Sequence, residues 1–187
     1  MNDSADREER FRRAYVAAYD DVLRFVQRRT APGQAEDVVA EAMLVAWRRV
    51  EELPTDPGDA RAWLFGIARN CLLNDTRTHR RRDALGVRLA RQAAGGDLTP
   101  DDAVADRVAG RLDLAAAWAQ LSPADQEVIA LSVFEDLTSA QAGAVLGVSA
   151  AATRLRLSRA RSALRRRLEG AAPRPGPAAA SYEEMHS

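Results

Sequence analysis

A short apolar segment followed by an arginine-rich stretch constrains this chain more than any other feature. Residues 137–149 have the pattern of a short helix, a turn at Gly147 and a second helix capped by Ser149. Two helices joined in this way form a helix-turn-helix, whose second helix enters the major groove of DNA. The sequence therefore predicts a nucleic-acid-binding domain near the C-terminal end.

The predicted second helix carries seven arginines and no acidic residue between Arg154 and Arg167. Like charges three or four positions apart repel by roughly a few tenths of a kcal/mol per pair, unless phosphates neutralise them. The alternative interpretation is a solvated helix face that contacts acidic neighbours. The Gly147 turn and the Ser149 cap favour DNA.

Within this helix, residues soon after the cap are expected to face base edges, because the N-terminal part of a recognition helix enters the groove. We predict base contacts from Thr153, Arg154 and Arg156. Phosphate contacts are predicted from Arg159, Arg161 and Arg165. Ser149 is expected to cap the helix, with a DNA contact as the alternative.

A second polar and basic segment lies far upstream, at residues 74–82. It combines Asn74, Asp75 and Arg77 with a cluster at Arg80–Arg82. Amide and carboxylate groups can hydrogen-bond the edge of an unstacked base while arginines hold its backbone, which suits strand-separated DNA. The alternative is a polar helix end whose arginines complement the helix dipole.

Apolar residues spaced by three and four predict helices over 10–29 and 34–50, and a third helix from about Asp59 to the Arg80–Arg82 cluster. Trp63 and Phe65 are expected to pack in the core rather than stack on bases. Residues 92–106 contain four aspartates, two glycines, one proline and no basic residue, which is typical of a linker.

These patterns predict an all-α protein with two small helical domains joined by a flexible acidic linker, the C-terminal one a helix-turn-helix. The predicted bounds are a flexible N-terminus at 1–9, a first domain at 10–83, a linker at 84–109, a second domain at 110–169 and a disordered tail at 170–187.

Composition narrows the class of protein. Its 27 basic residues are all arginine and are balanced by 27 acidic ones, so the distribution of charge, rather than a net positive field, indicates nucleic acid. Cys71 is the only cysteine, which excludes an intrachain disulfide and a cysteine-based zinc site. Without an apolar run of about 18 residues or a signal peptide, we expect a cytoplasmic protein with no membrane insertion.

Two other functional classes could carry a DNA-binding helix of this kind. A nucleic-acid enzyme is disfavoured because the chain has only two histidines, no metal-ligand cluster and no nucleophile placed beside a base. No cofactor is expected. A stand-alone helix-turn-helix regulator remains open, and it would bind a two-fold symmetric operator without any polymerase.

Several motifs, in their order and spacing, resemble the extracytoplasmic-function group of the sigma-70 family, the sigma factors of bacterial RNA polymerase. Segment 35–48, AEDVVAEAMLVAWR, looks like the helix that docks on the polymerase clamp. Segment 61–70, RAWLFGIARN, looks like the part that helps open DNA, and 74–82 like the part that reads the minus-ten element. Segments 121–128, 147–149 and 157–161 resemble the minus-thirty-five domain.

The resemblance implies a sigma factor that binds core RNA polymerase and promoter DNA and directs promoter recognition, melting and transcription initiation, with no catalytic chemistry of its own. It assigns to Asn74 the capture of a flipped non-template base and leaves open whether an anti-sigma factor binds the chain. The implied minus-ten residues are Asn70, Asn74, Asp75, Arg77, Arg80 and Arg81, and the implied polymerase-binding residues are Asp37, Glu41, Trp47 and Arg48.

Overall fold

The computed structural model describes residues 3–31, 33–78 and 102–171, with side chains over 4–31, 33–74 and 110–170. Within these ranges the chain is helical, and the predicted all-α fold with two domains is confirmed. The elements are α1 (Asp3–Gln27), α2 (Ala35–Arg48), a 3-10 turn (Val50–Glu52), α3 (Pro57–Thr78), α4 (Asp102–Ala119), α5 (Pro123–Val133), α6 (Ser139–Leu146) and α7 (Ala150–Ala171). None of these helices is both long and apolar enough to cross a membrane.

The first domain consists of α1, α2 and α3 around a shared apolar core. The rings of Phe25 and Phe65 are fully buried and stack with centroids 5.0 Å apart, so the prediction of a core position for Phe65 is confirmed. Trp63 is only half-buried, and the Arg49 guanidinium lies 5.9 Å from its ring centroid. The buried face of α2 repeats at three and four residues through Val38, Val39, Ala42, Met43 and Ala46.

Two helices begin earlier than the sequence predicted. Helix α1 starts at Asp3, inside the segment expected to be a flexible terminus, and Arg7 anchors it by an ion pair with Glu51. Helix α4 starts at Asp102, inside the predicted linker 84–109. Aspartates favour the first turn of a helix because of its dipole, so an acidic stretch that suggests a linker also suits a helix start.

The second domain contains α4 to α7. Ser122 caps α5 by accepting a hydrogen bond from the Asp125 backbone N–H at 3.2 Å, and Pro123 occupies the first position of that helix. Its own apolar cluster is formed by Trp118, Leu121, Val128, Ile129, Ala130 and Ala160.

The two domains are not separate bodies, because they share part of one core. Leu131, Leu137, Ala142 and Val145 of the second domain are buried together with the apolar residues of α1, α2 and α3. Helix α6 packs along α3, where a Cβ added to Gly66 would lie 3.9 Å from the Cα atom of Val145. This docking is a feature that the sequence did not predict.

A cluster of buried charges lies at the same boundary. The fully buried Arg29 side chain donates from Nε to both carboxylate oxygens of Glu127 at 3.3 Å, and from Nη1 to Glu135 at 3.4 Å. Arg28 donates to Glu135 at 2.5 Å, and Arg69 lies 3.9 Å from Glu127. All three arginines belong to the first domain and both carboxylates to the second.

We expect Arg29→Met to lower the free energy of unfolding by about 3 kcal/mol or more, because removing one partner leaves buried charge uncompensated. Urea denaturation measures the change. Arg12→Ala is the control, since it removes only the exposed pair with Glu9 and should cost less than about 1 kcal/mol. An equal decrease in the free energy of unfolding for the two variants would show that the buried cluster does not stabilise the fold.

Candidate nucleic-acid interface

Helices α6 and α7 form the predicted helix-turn-helix, and local signals mark its ends. Thr138 Oγ1 accepts from the Gln141 N–H at 3.3 Å while Gln141 Oε1 accepts from the Thr138 N–H at 3.1 Å, a reciprocal capping box. Gly147 follows α6 with φ of +70°, the left-handed region that favours glycine. Ser149 then caps α7 by accepting from the Ala152 N–H at 3.1 Å.

The two helices approach closely at Gly143. A Cβ at this position would lie 2.7 Å from the Val148 carbonyl oxygen and 3.0 Å from Thr153 Oγ1, so any larger side chain would force the helices apart. Thr153 is buried in this contact, and its hydroxyl donates to the Ser149 carbonyl at 3.0 Å. Thr153 therefore packs inside the motif, and the base contact expected from the sequence does not agree with this position.

The remaining α7 candidates lie on the exposed side of the helix. The inward stripe is buried at Thr153 and Ala160 and half-buried at Leu157 and Leu164, so the outward face lies opposite. Arg154 and Arg161 are seven positions apart on one flank of that face, whereas Arg156 and Arg159 lie on the other.

Leu155 occupies the outward face between these flanks and is 53% exposed. Sequence reasoning missed it because it concentrated on charged residues. An exposed leucine on a recognition helix can contact the methyl group of thymine, which is the apolar part of major-groove readout. The available signal was helical spacing, because Leu157 and Leu164 mark the inward face and Leu155 falls on the opposite side.

The arginines of α7 have few partners within the protein. Arg161 donates to the Ser132 hydroxyl at 3.4 Å, and Arg156 and Arg159 line a hollow beside Asp125. Over the described part of the chain, no ion pair with a carboxylate holds any of these side chains. Their charge is therefore available to phosphate.

On α3, Asn70 and Asn74 lie one turn apart and are both exposed. Asn70 lines a cleft of about 480 Å³ together with Trp63 and Ile67, and the opposite wall of this cleft belongs to α6, through Ala140, Gln141 and Ala144. The structure thus brings the upstream candidate surface next to the helix-turn-helix.

The other upstream candidates are described only in part or not at all. Asp75 and Arg77 lie in the last turn of α3, whose side chains are outside the described set. Arg80 and Arg81 lie outside the described residues altogether. Their roles stay predictions.

A third candidate surface lies on α2, opposite its buried face. Asp37, Glu41 and Arg48 are exposed at helical spacing, and they share their stripe with Leu44, which is 58% exposed and was not predicted. Trp47 lies beside this stripe. Its ring meets the Phe11 ring edge-on at 5.3 Å and the Arg7 guanidinium at 5.2 Å.

Residues 14–82 match the family described as Sigma-70 region 2, and residues 111–164 match Sigma-70, region 4. The chain is 35% identical over 161 residues to the ECF RNA polymerase sigma factor SigL of Mycobacterium tuberculosis, which covers 82% of this chain and 88% of SigL. It is 33% identical over 135 residues to the RNA polymerase sigma factor CnrH of Cupriavidus metallidurans, covering 69% of this chain and 70% of CnrH.

Two solved structures share the fold. The sigma factor RpoE in complex with the anti-sigma factor NepR from Bartonella quintana matches with a TM-score of 0.58 and 21% identity, covering 90% of this chain and 98% of RpoE. CnrH in complex with the cytosolic domain of CnrY matches with a TM-score of 0.51 and 25% identity, covering 90% of each chain.

The Ser149 cap generates a stability prediction. Ser149→Ala should lower the free energy of unfolding by about 1 kcal/mol because the Ala152 N–H loses its acceptor, whereas Ser149→Asp should retain most of the stability because aspartate also caps helices. Chemical denaturation followed by circular dichroism measures both. Ser158→Ala, an exposed change further along α7, is the control. Equal destabilisation by alanine and aspartate would rule out the capping role.

Proposed function

Because the chain belongs to the extracytoplasmic-function group of the sigma-70 family, it is a sigma factor that binds core RNA polymerase and promoter DNA in transcription initiation, and we propose which of its surfaces carry out each step. The chain is not an enzyme. Membership of this family decides between the two functions that the helix-turn-helix left open, since a stand-alone regulator would not carry both sigma regions.

We propose that core polymerase docks on the exposed stripe of α2. Asp37, Glu41 and Arg48 supply charges of both signs, and Leu44 supplies an apolar centre between them. Partly exposed aromatic side chains such as Trp47 are enriched at protein interfaces. The buried opposite face of α2 holds the stripe rigidly, which reduces the entropy lost on binding.

For the minus-ten element, we propose that the exposed face of α3 receives the separated strand. Asn70 and Asn74 project from one side of this helix, and each amide offers a donor and an acceptor to the edge of an unpaired base. Asn74 is the proposed capture residue. Asp75, Arg77, Arg80 and Arg81 continue the same segment as further predicted contacts.

The minus-thirty-five element is assigned to the outward face of α7. The observation that supports this assignment best is that exposed arginines flank an exposed leucine on this helix. Ser149 caps the N-terminal end of the helix, which is the end that enters the groove in a helix-turn-helix. Arg154 and Arg156 are proposed to read bases, Leu155 to contact a thymine methyl, and Arg159 and Arg161 to hold phosphates.

We also propose a cytoplasmic location, where core polymerase transcribes, and regulation by an anti-sigma factor. The solved structure of RpoE contains the anti-sigma factor NepR, and that of CnrH contains the cytosolic domain of CnrY. A partner of this class is the proposal for this chain too.

The α2 surface predicts that Leu44→Ser weakens binding to core polymerase by about tenfold or more, since burying a leucine side chain contributes roughly 2 kcal/mol. Competition with a fluorescently labelled wild-type chain for core enzyme measures the affinity. Val16→Ser on α1 is the matched control, because Val16 is also apolar and is 75% exposed. The docking site lies elsewhere if the two variants bind equally well.

The α7 surface predicts different losses for different arginines. In holoenzyme, Arg154→Ala and Arg156→Ala should each reduce discrimination between a cognate upstream element and an altered one by about 1–3 kcal/mol, because they remove base contacts. Arg159→Ala should instead weaken binding to both sequences equally and reduce the salt dependence, because it removes a phosphate contact. Sequencing of transcripts started by the holoenzyme first identifies the cognate promoter. Uniform losses for Arg154→Ala would contradict base reading.

A further inference from the structure

A second cleft, the α1 cleft, lies on the first domain between α1 and the loop that leads into α3, and its volume is about 540 Å³. Its charged residues are Arg10, Arg13 and Arg61, and no acidic residue is among the described residues that line it. The rest of its lining is mostly small and apolar, through Ala14, Ala17, Ala18, Leu53, Pro54 and Ala60. Charges of one sign around an apolar floor attract an occupant of the opposite charge.

One of these arginines is fixed by the protein itself. Arg61 donates to Asp21 Oδ2 at 2.9 Å and to the Glu135 carbonyl oxygen at 2.6 Å. Burial raises the pKa of Asp21, but hydrogen bonds from Arg61 and Arg24 outweigh this effect and hold the pKa below its usual range. Asp21 is therefore ionised at neutral pH, and Arg61 forms a fixed, positively charged wall of the cleft.

The two arginines of α1 differ in how far the protein occupies them. Arg10 Nη2 donates to the Leu53 carbonyl oxygen at 3.2 Å, and its Nη1 lies 3.8 Å from Glu51. The Arg13 side chain is 68% exposed, and its Nε lies 3.4 Å from the Glu9 carbonyl oxygen and 3.8 Å from the Glu9 carboxylate. Within the described part of the chain, neither Nη atom of Arg13 donates to a protein acceptor. The outer edge of its guanidinium is therefore available to a phosphate.

The α1 cleft adjoins the cleft at Asn70. Pro54 lines both of them, and along α3 Arg61 lines the first and Trp63 the second. Asn70 follows Arg61 by nine residues, which corresponds to about 14 Å along a helix. At the spacing of about 3.4 Å per nucleotide in one strand of B-DNA, about four nucleotides cover this distance. A strand bound at Asn70 can therefore continue into the α1 cleft.

We propose that the α1 cleft holds the backbone of the separated promoter strand where it leaves the α3 face, with Arg13 as the phosphate-binding residue and Arg10 beside it. This proposal rests on the assignment of α3 to the minus-ten element. None of the described lining residues is aromatic, so the cleft offers bases no stacking face and binds phosphates of any sequence. Its continuity with the Asn70 cleft favours DNA over an acidic segment of a protein.

Arg13→Ala in holoenzyme tests the proposal on a premelted template, the cognate promoter with mismatches that keep the minus-ten element and the strand beyond it unpaired. Binding should weaken about threefold to tenfold at low salt, because a charge-assisted hydrogen bond is lost. The slope of log affinity against log salt should become shallower by about 0.7, the value for one phosphate on a single strand. Titration of a fluorescently labelled template at several salt concentrations measures both quantities.

Arg12→Ala is the matched control. The Arg12 side chain is 70% exposed and carries the same charge, but it pairs with Glu9 and does not line the cleft. This variant should leave the affinity and the salt slope unchanged. Circular dichroism checks that both variants are folded.

Neutral linkages in the DNA locate the contact. A methylphosphonate replaces a charged phosphate oxygen by a methyl group, and it can be placed at one linkage at a time along the unpaired strand. At the contacted linkage it should weaken binding by the wild-type holoenzyme and have no effect on the Arg13→Ala holoenzyme.

Equal losses for Arg12→Ala and Arg13→Ala, an unchanged salt slope, or a scan without such a linkage would each overturn the proposal. Weaker binding of Arg13→Ala to core polymerase in the absence of DNA would also overturn it, because the cleft would then hold an acidic segment of the enzyme. The assignment of α3 is tested separately by Asn74→Ala on the same template. No loss for Asn74→Ala together with a loss for Arg13→Ala would refute that assignment and leave the α1 cleft as a DNA site.

Discussion

The meeting of Arg29 with Glu127 and Glu135 is the constraint on which the arrangement of the domains depends. These groups are separated by 98 and 106 residues in the chain and are almost completely buried. Removing charges from water costs several kcal/mol per ion, and their attraction offsets this cost only in good geometry. We therefore attribute the strength of docking to apolar burial and its specificity to the charges, because a shifted register would leave an arginine or a glutamate buried alone.

Helix α6 links the contact between the domains to the DNA-binding surfaces. It has only eight residues and packs against α3 on one side and α7 on the other. Glycine is needed for close approach at Gly143 within α6, whereas a Cβ at Gly66 of α3 would make only an ordinary van der Waals contact with Val145. The same short helix thus supports the recognition helix and forms one wall of the cleft at Asn70, so it adjoins both proposed promoter contacts.

The three surfaces proposed for core polymerase and promoter DNA differ in how accessible they are. The α2 stripe and the outward face of α7 are exposed, and so are Asn70 and Asn74 of α3, whereas the part of α3 around Gly66 lies against α6. The arginines of α7, which have no carboxylate partners among the described residues, suit long-range attraction to duplex DNA that weakens with added salt.

The sequence by itself determined the helices and their ends. Periodicity of apolar residues, the caps at Ser122 and Ser149 and the turn at Gly147 depend on neighbours within four residues, so they can be recognised without knowledge of the fold. The starts of α1 and α4 were missed because polar segments suit both helix and linker. Only the tertiary structure decided that Thr153 is buried, that Leu44 and Leu155 are exposed at candidate surfaces, and that the two domains dock through Arg29. The physical reason is that burial and the pairing of distant charges depend on which helix faces meet, and a local pattern does not contain that information.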